Sequence, residues 1–168
     1  MGKPERIELP KVRPFGDEWA LLTEHANELF SARRHDDARQ PYAHALSRAK
    51  TQFEQALVGG GLAADAVSML IVSASNAARN HVMRNDQEAA LRLLAVAAQA
   101  LLEGLDSTLA PFAVKREIAR NLPRMMSELH ARKLPRAEYT QRARHLQDRL
   151  ELVVLEMQRQ AREGGTFA

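Results

Sequence analysis

Residues 74–97 read ASNAARNHVMRNDQEAALRLLAVA. Ala74, Ala77, Ala78 and His81 recur at three- and four-residue intervals, the spacing of one helix face. Asn85-Asp86 then interrupts the pattern with two turn-forming residues. Asp86 is placed to cap a second helix, whose apolar face runs through Ala90, Leu94 and Ala97. Two helices joined by so short a polar turn must fold back antiparallel. Small residues at Ala78 and Ala90 let their backbones approach closely. This stretch therefore predicts a helical hairpin.

Working outward, the same form recurs. Trp19, Leu22, Ala26, Leu29 and Phe30 lie on one stripe, Arg33 to Asp37 breaks it, and Asp36 is placed to cap the next helix. The stripe resumes through Ala38, Tyr42, Ala45, Leu46, Ala49, Phe53, Ala56 and Leu57, with Pro41 near the helix start where a missing amide costs least. Gly59-Gly60-Gly61 ends that element. A third helix is predicted from about Ala63 to Arg84, and a fourth through Leu101 and Leu102, closed by Gly104 and Asp106-Ser107-Thr108. A fifth starts near Pro111 and runs to about Arg132, with a kink at Pro123. After Leu134-Pro135 the last helix runs from about Arg136 to Arg162. No segment alternates as a strand does. The fold class is all-α: hairpins at about 17–58, 63–103 and 111–162 within a single domain of residues 17–163. An extended proline-bearing arm at 1–16 precedes it, and a loose tail at 164–168 follows.

Composition limits the function. The 168-residue chain has no cysteine, which removes disulfides, zinc-thiolate sites and a thiol nucleophile. No apolar run reaches the roughly 20 residues that span a bilayer. The opening residues lack the apolar stretch of a secretory signal, so the expected location is the cytoplasm. From Lys115 to Glu163 there are 12 basic and 7 acidic residues, a net +5. Arg132, Lys133, Arg136, Arg142, Arg144 and Arg149 would serve a nucleic-acid-binding regulator. However, neither a recognition helix pattern nor stacking aromatics accompany them, and interspersed acids suit a solvated surface. The six histidines form no HExxH or dense cluster, so no metal and no cofactor is expected. His25 and His81 hold equivalent hairpin positions, which predicts packing roles for both. The spaced Met residues read as core filler. The triple glycine lacks the Lys-Ser/Thr of a phosphate loop. No carboxylate pair stands on an apolar face as acid and base, and no serine has an adjoining base, so no catalytic residue is assigned and the reading is non-enzymatic.

Over positions 19 to 103 the chain resembles tetratricopeptide-repeat proteins. The resemblance rests on Leu22, His25, Ala26, Leu29, Ala38, Tyr42 and Ala45 in the first hairpin. In the second it rests on Ala74, Ala77, Ala78, His81, Ala90, Leu94 and Ala97. It departs from the family in period, for Ala38 and Ala90 are 52 residues apart where the family has about 34. Lys50 replaces the closing proline, and in the third hairpin Ala137 is followed by Gln141. An ordinary helical bundle with small residues at its contacts is the alternative architecture.

What the resemblance implies is a right-handed superhelix that binds a protein or peptide on a concave face. The groove positions it implies are Thr23, Asn27, Phe30, Ser75, Asn76, Arg79 and Met83. Asn27 and Asn76 fall where such proteins hold peptide backbone, since an amide both donates and accepts. Thr23 stands where some members place a lysine that clamps a terminal carboxylate. The expected function is thus an adaptor, scaffold or regulator; a secretion-type chaperone is the nearest alternative. In the last helix Tyr139, Ala143, Leu146, Leu150, Val153 and Met157 step by four and three residues, a heptad-type seam. About 27 residues would extend some 40 Å. This long amphipathic helix either caps the last hairpin or pairs two subunits through Tyr139, Leu146, Leu150, Val153 and Met157.

Overall fold

The computed structural model describes residues 15–131, together with the helical positions Asp148, Leu152, Leu155 and Arg159. Five helices follow one another: α1 (Phe15–Ser31), α2 (His35–Leu57), α3 (Ala63–Met83), α4 (Gln87–Asp106) and α5 (Phe112–Ala131). No strand occurs among the described residues. Each helix packs on the next, and α3 also packs on α5.

The alanine positions behave as close contacts require. Ala26 and Ala38 are fully buried in one cluster with Tyr42 and Ala77, so the α1–α2 hairpin meets α3 through small side chains. Ala78 and Ala90 are fully buried in the larger core, beside Leu70, Leu94, Leu101, Leu102, Ile118 and Leu122. Burying each of these larger aliphatic side chains contributes about 1.5–3 kcal/mol. Helix α3 is the axis of the molecule, with Ala66, Val67, Leu70, Ile71, Ala74 and Ala77 buried around more than one face.

The two hairpin turns repeat each other at an offset of 52 residues. Arg33 (φ 60°) and Asn85 (φ 59°) both adopt the left-handed conformation. The Arg34 amide donates to the Leu29 carbonyl and the Asp86 amide to that of His81, both at 2.9 Å; Arg33 likewise donates to Phe30, and Asn85 to Val82. This is the paired bonding of a Schellman stop, which satisfies the last carbonyls of α1 and α3. Gly59 (φ +89°) ends α2 in the same way, with Gly60 donating to Gln55 at 2.8 Å.

Several boundaries differ from the sequence reading. Phe15 and Gly16 are already helical rather than part of an extended arm; the rest of the expected arm and the expected tail at 164–168 lie outside the described residues. The break after α1 is confined to Ala32–Arg34. Asp36 therefore falls within the first turn of α2 instead of capping it, and Arg34 at the cap position makes no side-chain cap bond. Asp36 is used elsewhere, in a 2.6 Å pair with Arg84 at the end of α3. Asp86 does cap α4, accepting from the Ala89 amide at 3.1 Å. That bond, opposed by burial and reinforced by His81 and Arg92, holds the Asp86 carboxyl below its usual range. Gly104 does not close α4, which continues to Asp106. A side chain there would have its Cβ 2.9–3.0 Å from atoms of Ile118, Leu57 and Phe53, so glycine lets three helices meet. α5 continues through Pro123.

The histidine and methionine expectations divide. His25 is exposed, with Glu28 at 3.9 Å, so it has no packing role; at the 52-residue offset it aligns with Ala77, and His81 with Leu29, so the two histidines do not hold equivalent positions. His81 is half-buried, with its Nδ1 3.2 Å from Asp86. Met69, Met125 and Met126 fill the core, but Met83 is exposed because α3 ends there beside open solvent.

Candidate functional site: a groove between the first and third helices

Helices α1 and α3 come together through side chains. Trp19 Nε1 donates to Ser73 Oγ at 2.7 Å near one end. Near the other, the Arg79 guanidinium lies over the Phe30 ring, 4.9 Å from its centre. Around that second contact the helices leave a groove of about 790 Å3. Its walls carry Asn27, Phe30 and Ser31 from α1 and Asn76, Arg79 and Met83 from α3. Arg33, His35 and Tyr42 close it from the turn and from α2.

The groove is backed by aromatic rings. Phe30 meets His35 edge-on at 4.9 Å and Tyr42 at 6.4 Å. The Tyr42 hydroxyl donates to Asn27 Oδ1 at 2.8 Å. The Asn27 amide is thereby oriented, its oxygen committed to α2 and its Nδ2 left as a donor. Burial pushes the Tyr42 phenol above its ordinary range, partly opposed by the Arg79 charge, so the hydroxyl stays a donor. Among the described residues no carboxylate lines the groove, whereas Arg33 and Arg79 do. Its chemistry is therefore donor-rich and cationic, with apolar surface at Phe30 and the half-exposed Met83.

Five of the residues implied by the tetratricopeptide resemblance come together here: Asn27, Phe30, Asn76, Arg79 and Met83. Two do not. Ser75 turns to the opposite neighbour of α3 and donates to Glu128 of α5 at 2.8 Å. Thr23 also lies off the groove, its hydroxyl buried without a hydrogen-bond partner among the described residues. Ser31, Arg33, His35 and Tyr42 are additional lining residues that the resemblance leaves out. The seam residues Tyr139, Leu146, Leu150, Val153 and Met157 lie outside the described residues, as do Arg132, Lys133, Arg136, Arg142, Arg144 and Arg149. The nearby described positions Leu152 and Leu155 are exposed.

Among the described residues no group of His, Asp and Glu gathers as metal ligands would, and no helix is long and apolar enough to cross a membrane. Fold and groove together define an all-helical chain of repeated hairpins with a basic cleft on one face. The chain belongs to the family described as protein of unknown function DUF2753, whose model matches residues 17–162. No curated protein and no solved structure matches it.

Proposed function

We propose that this protein is a non-enzymatic interaction module, an adaptor, scaffold or regulator of the cytoplasm. Its hairpins stack in the tetratricopeptide manner, as a right-handed superhelix, and the α1/α3 groove holds a peptide segment of a partner protein. The observation that carries this reading is the donor set around Arg79. Asn27 Nδ2 and the Asn76 amide are free to engage peptide backbone, and Arg79, stacked on Phe30, presents its guanidinium to a carboxylate. An aromatic face beneath a guanidinium attracts the cation and orders a side chain that would otherwise lose entropy on binding. Met83 and Phe30 offer the apolar contact that such a segment needs.

The test is capture of partners on the immobilised full chain, compared with a triple variant carrying Asn27→Ala, Asn76→Ala and Arg79→Ala. A partner retained by the parent and lost by the variant, with unchanged circular dichroism, is the expected result. Equal capture by both would overturn the groove assignment.

A further inference from the structure

A second depression lies away from this groove, between α2 and α4. Both helices rest on α3, and they run parallel because each is the second member of a hairpin. At one end they converge: the bare backbone at Gly104 admits Phe53 and Leu57, a Cβ there falling 3.0 Å from each. Beyond that contact lies a hollow of about 270 Å3, lined by Leu46 and Lys50 of α2, Leu70 of α3, and Val96, Ala97 and Ala100 of α4. Leu46, Lys50 and Leu93 continue into an adjoining polar hollow of about 580 Å3. The two hollows form one trough with an apolar half and a charged half.

The charge of the trough selects its occupant. Among the described residues Asp86 is its only carboxylate, and it is engaged in capping α4 and in its contact with His81. Four cations line it: Arg84 and Arg92 are paired with Asp36 and Glu88, while Arg39 and Lys50 make no ion pair among the described residues. Val96 is 53% exposed, a large apolar side chain left in water beside these charges. The chain's own sequence beyond α5, from Arg132 to Glu163, holds 8 basic and 5 acidic residues, a net +3, so its charge does not complement such a rim. We infer that the α2/α4 trough is a second docking surface, for an acidic amphipathic segment of another protein. That segment sets an apolar side chain between Leu46 and Val96 and its carboxylates on Lys50 and Arg39. Apolar burial supplies affinity and the charges supply selection against basic segments.

Fluorescence anisotropy with two labelled peptides tests this on the full chain. Both carry leucines at helical spacing over about 16 residues, one helix length of roughly 24 Å; one has glutamate and the other lysine at the remaining positions. The glutamate peptide should bind, with affinity falling as salt rises, and the lysine peptide should not. Val96→Glu and Lys50→Glu, both at exposed positions, should each weaken binding about tenfold, whereas Arg79→Ala in the α1/α3 groove should leave it unchanged. Four results would each overturn the inference: no binding of the glutamate peptide, equal binding of both peptides, indifference to Val96→Glu and Lys50→Glu, or loss on Arg79→Ala alone. A parent chain that is dimeric by light scattering and made monomeric by Val96→Glu would instead show that a second copy covers the trough.

Discussion

The Tyr42 hydroxyl donates to Asn27 Oδ1 across the α1–α2 hairpin at 2.8 Å. The bond joins a core residue, 4% exposed, to an exposed amide in the groove. It therefore links the packing of the hairpin to the orientation of a binding donor. Tyr42 stands over Ala77 of α3, so the same ring also seats the second hairpin on the first.

Tyr42→Phe removes this bond while keeping the ring. Because water can replace the hydroxyl at the exposed Asn27, the expected loss is small, about 0.5–1.5 kcal/mol by urea denaturation. A second consequence appears in base. The folded phenol has its pKa raised by burial, so its stabilising effect is complete below the unfolded value of 10.0 and is lost as pH rises through the folded value. The parent chain should destabilise above pH 10 by more than Tyr42→Phe does. Parallel losses in the two proteins would show that Tyr42 does not carry the alkaline dependence.

The 52-residue repeat makes its own prediction. Arg33 and Asn85 hold the same left-handed backbone, which costs arginine more than asparagine. Arg33→Gly should stabilise the chain by roughly 1 kcal/mol, or about 2–4 °C in Tm. Asn85→Gly should change Tm by less. A lower Tm for Arg33→Gly would mean that the arginine side chain contributes more than its backbone strain costs.

What was legible in the sequence follows from what is local. Asn85-Asp86 announced a turn and a cap because both acts involve neighbouring residues, and Asp86 performs the cap. The facing alanines were readable from helix spacing, since only small residues permit that approach. The groove was half legible. A repeat register points to the first helix of each hairpin, so it reached Asn27, Phe30, Asn76, Arg79 and Met83. It passed over Tyr42 and His35, which enter the groove from the second helix. Ser75 was misplaced because its partner, Glu128, is 53 residues away, and no local pattern shows which side of α3 another helix will occupy. Gly104 read as a helix stop for the same reason. Its role depends on Phe53 and Ile118 arriving from other helices.

Asp86 should make part of the stability acid-sensitive. Its folded pKa lies below the ordinary 3.8, chiefly through the Ala89 amide. The contribution is therefore present above that ordinary value and disappears as pH falls through the lowered one. Asp86→Asn keeps an acceptor at the cap, so its urea midpoint at pH 7 should stay near the parent's, while its decline toward pH 3 should be shallower. Asp86→Ala should be weaker at both. If the parent and Asp86→Asn decline together in acid, the carboxyl is not the source.

Trp19 provides a reporter for the attachment of α1. It is the chain's single tryptophan, half-buried, and its indole N–H donates to Ser73, which is 2% exposed. Helix α1 packs its length on α2, whereas this bond and the Arg79–Phe30 contact tie it to α3. Ser73→Ala creates no crowding but leaves the indole N–H without its acceptor, which costs about 1–2 kcal/mol. The loss falls on one end of the α1/α3 seam rather than on the α3–α4–α5 core. Tryptophan emission should therefore shift to the red at a lower urea concentration than the loss of helical circular dichroism, with the two transitions coincident in the parent. Coincident transitions in Ser73→Ala would mean that α1 is held by α2 alone and unfolds with the rest. In that case the groove would be as rigid as the core that supports it.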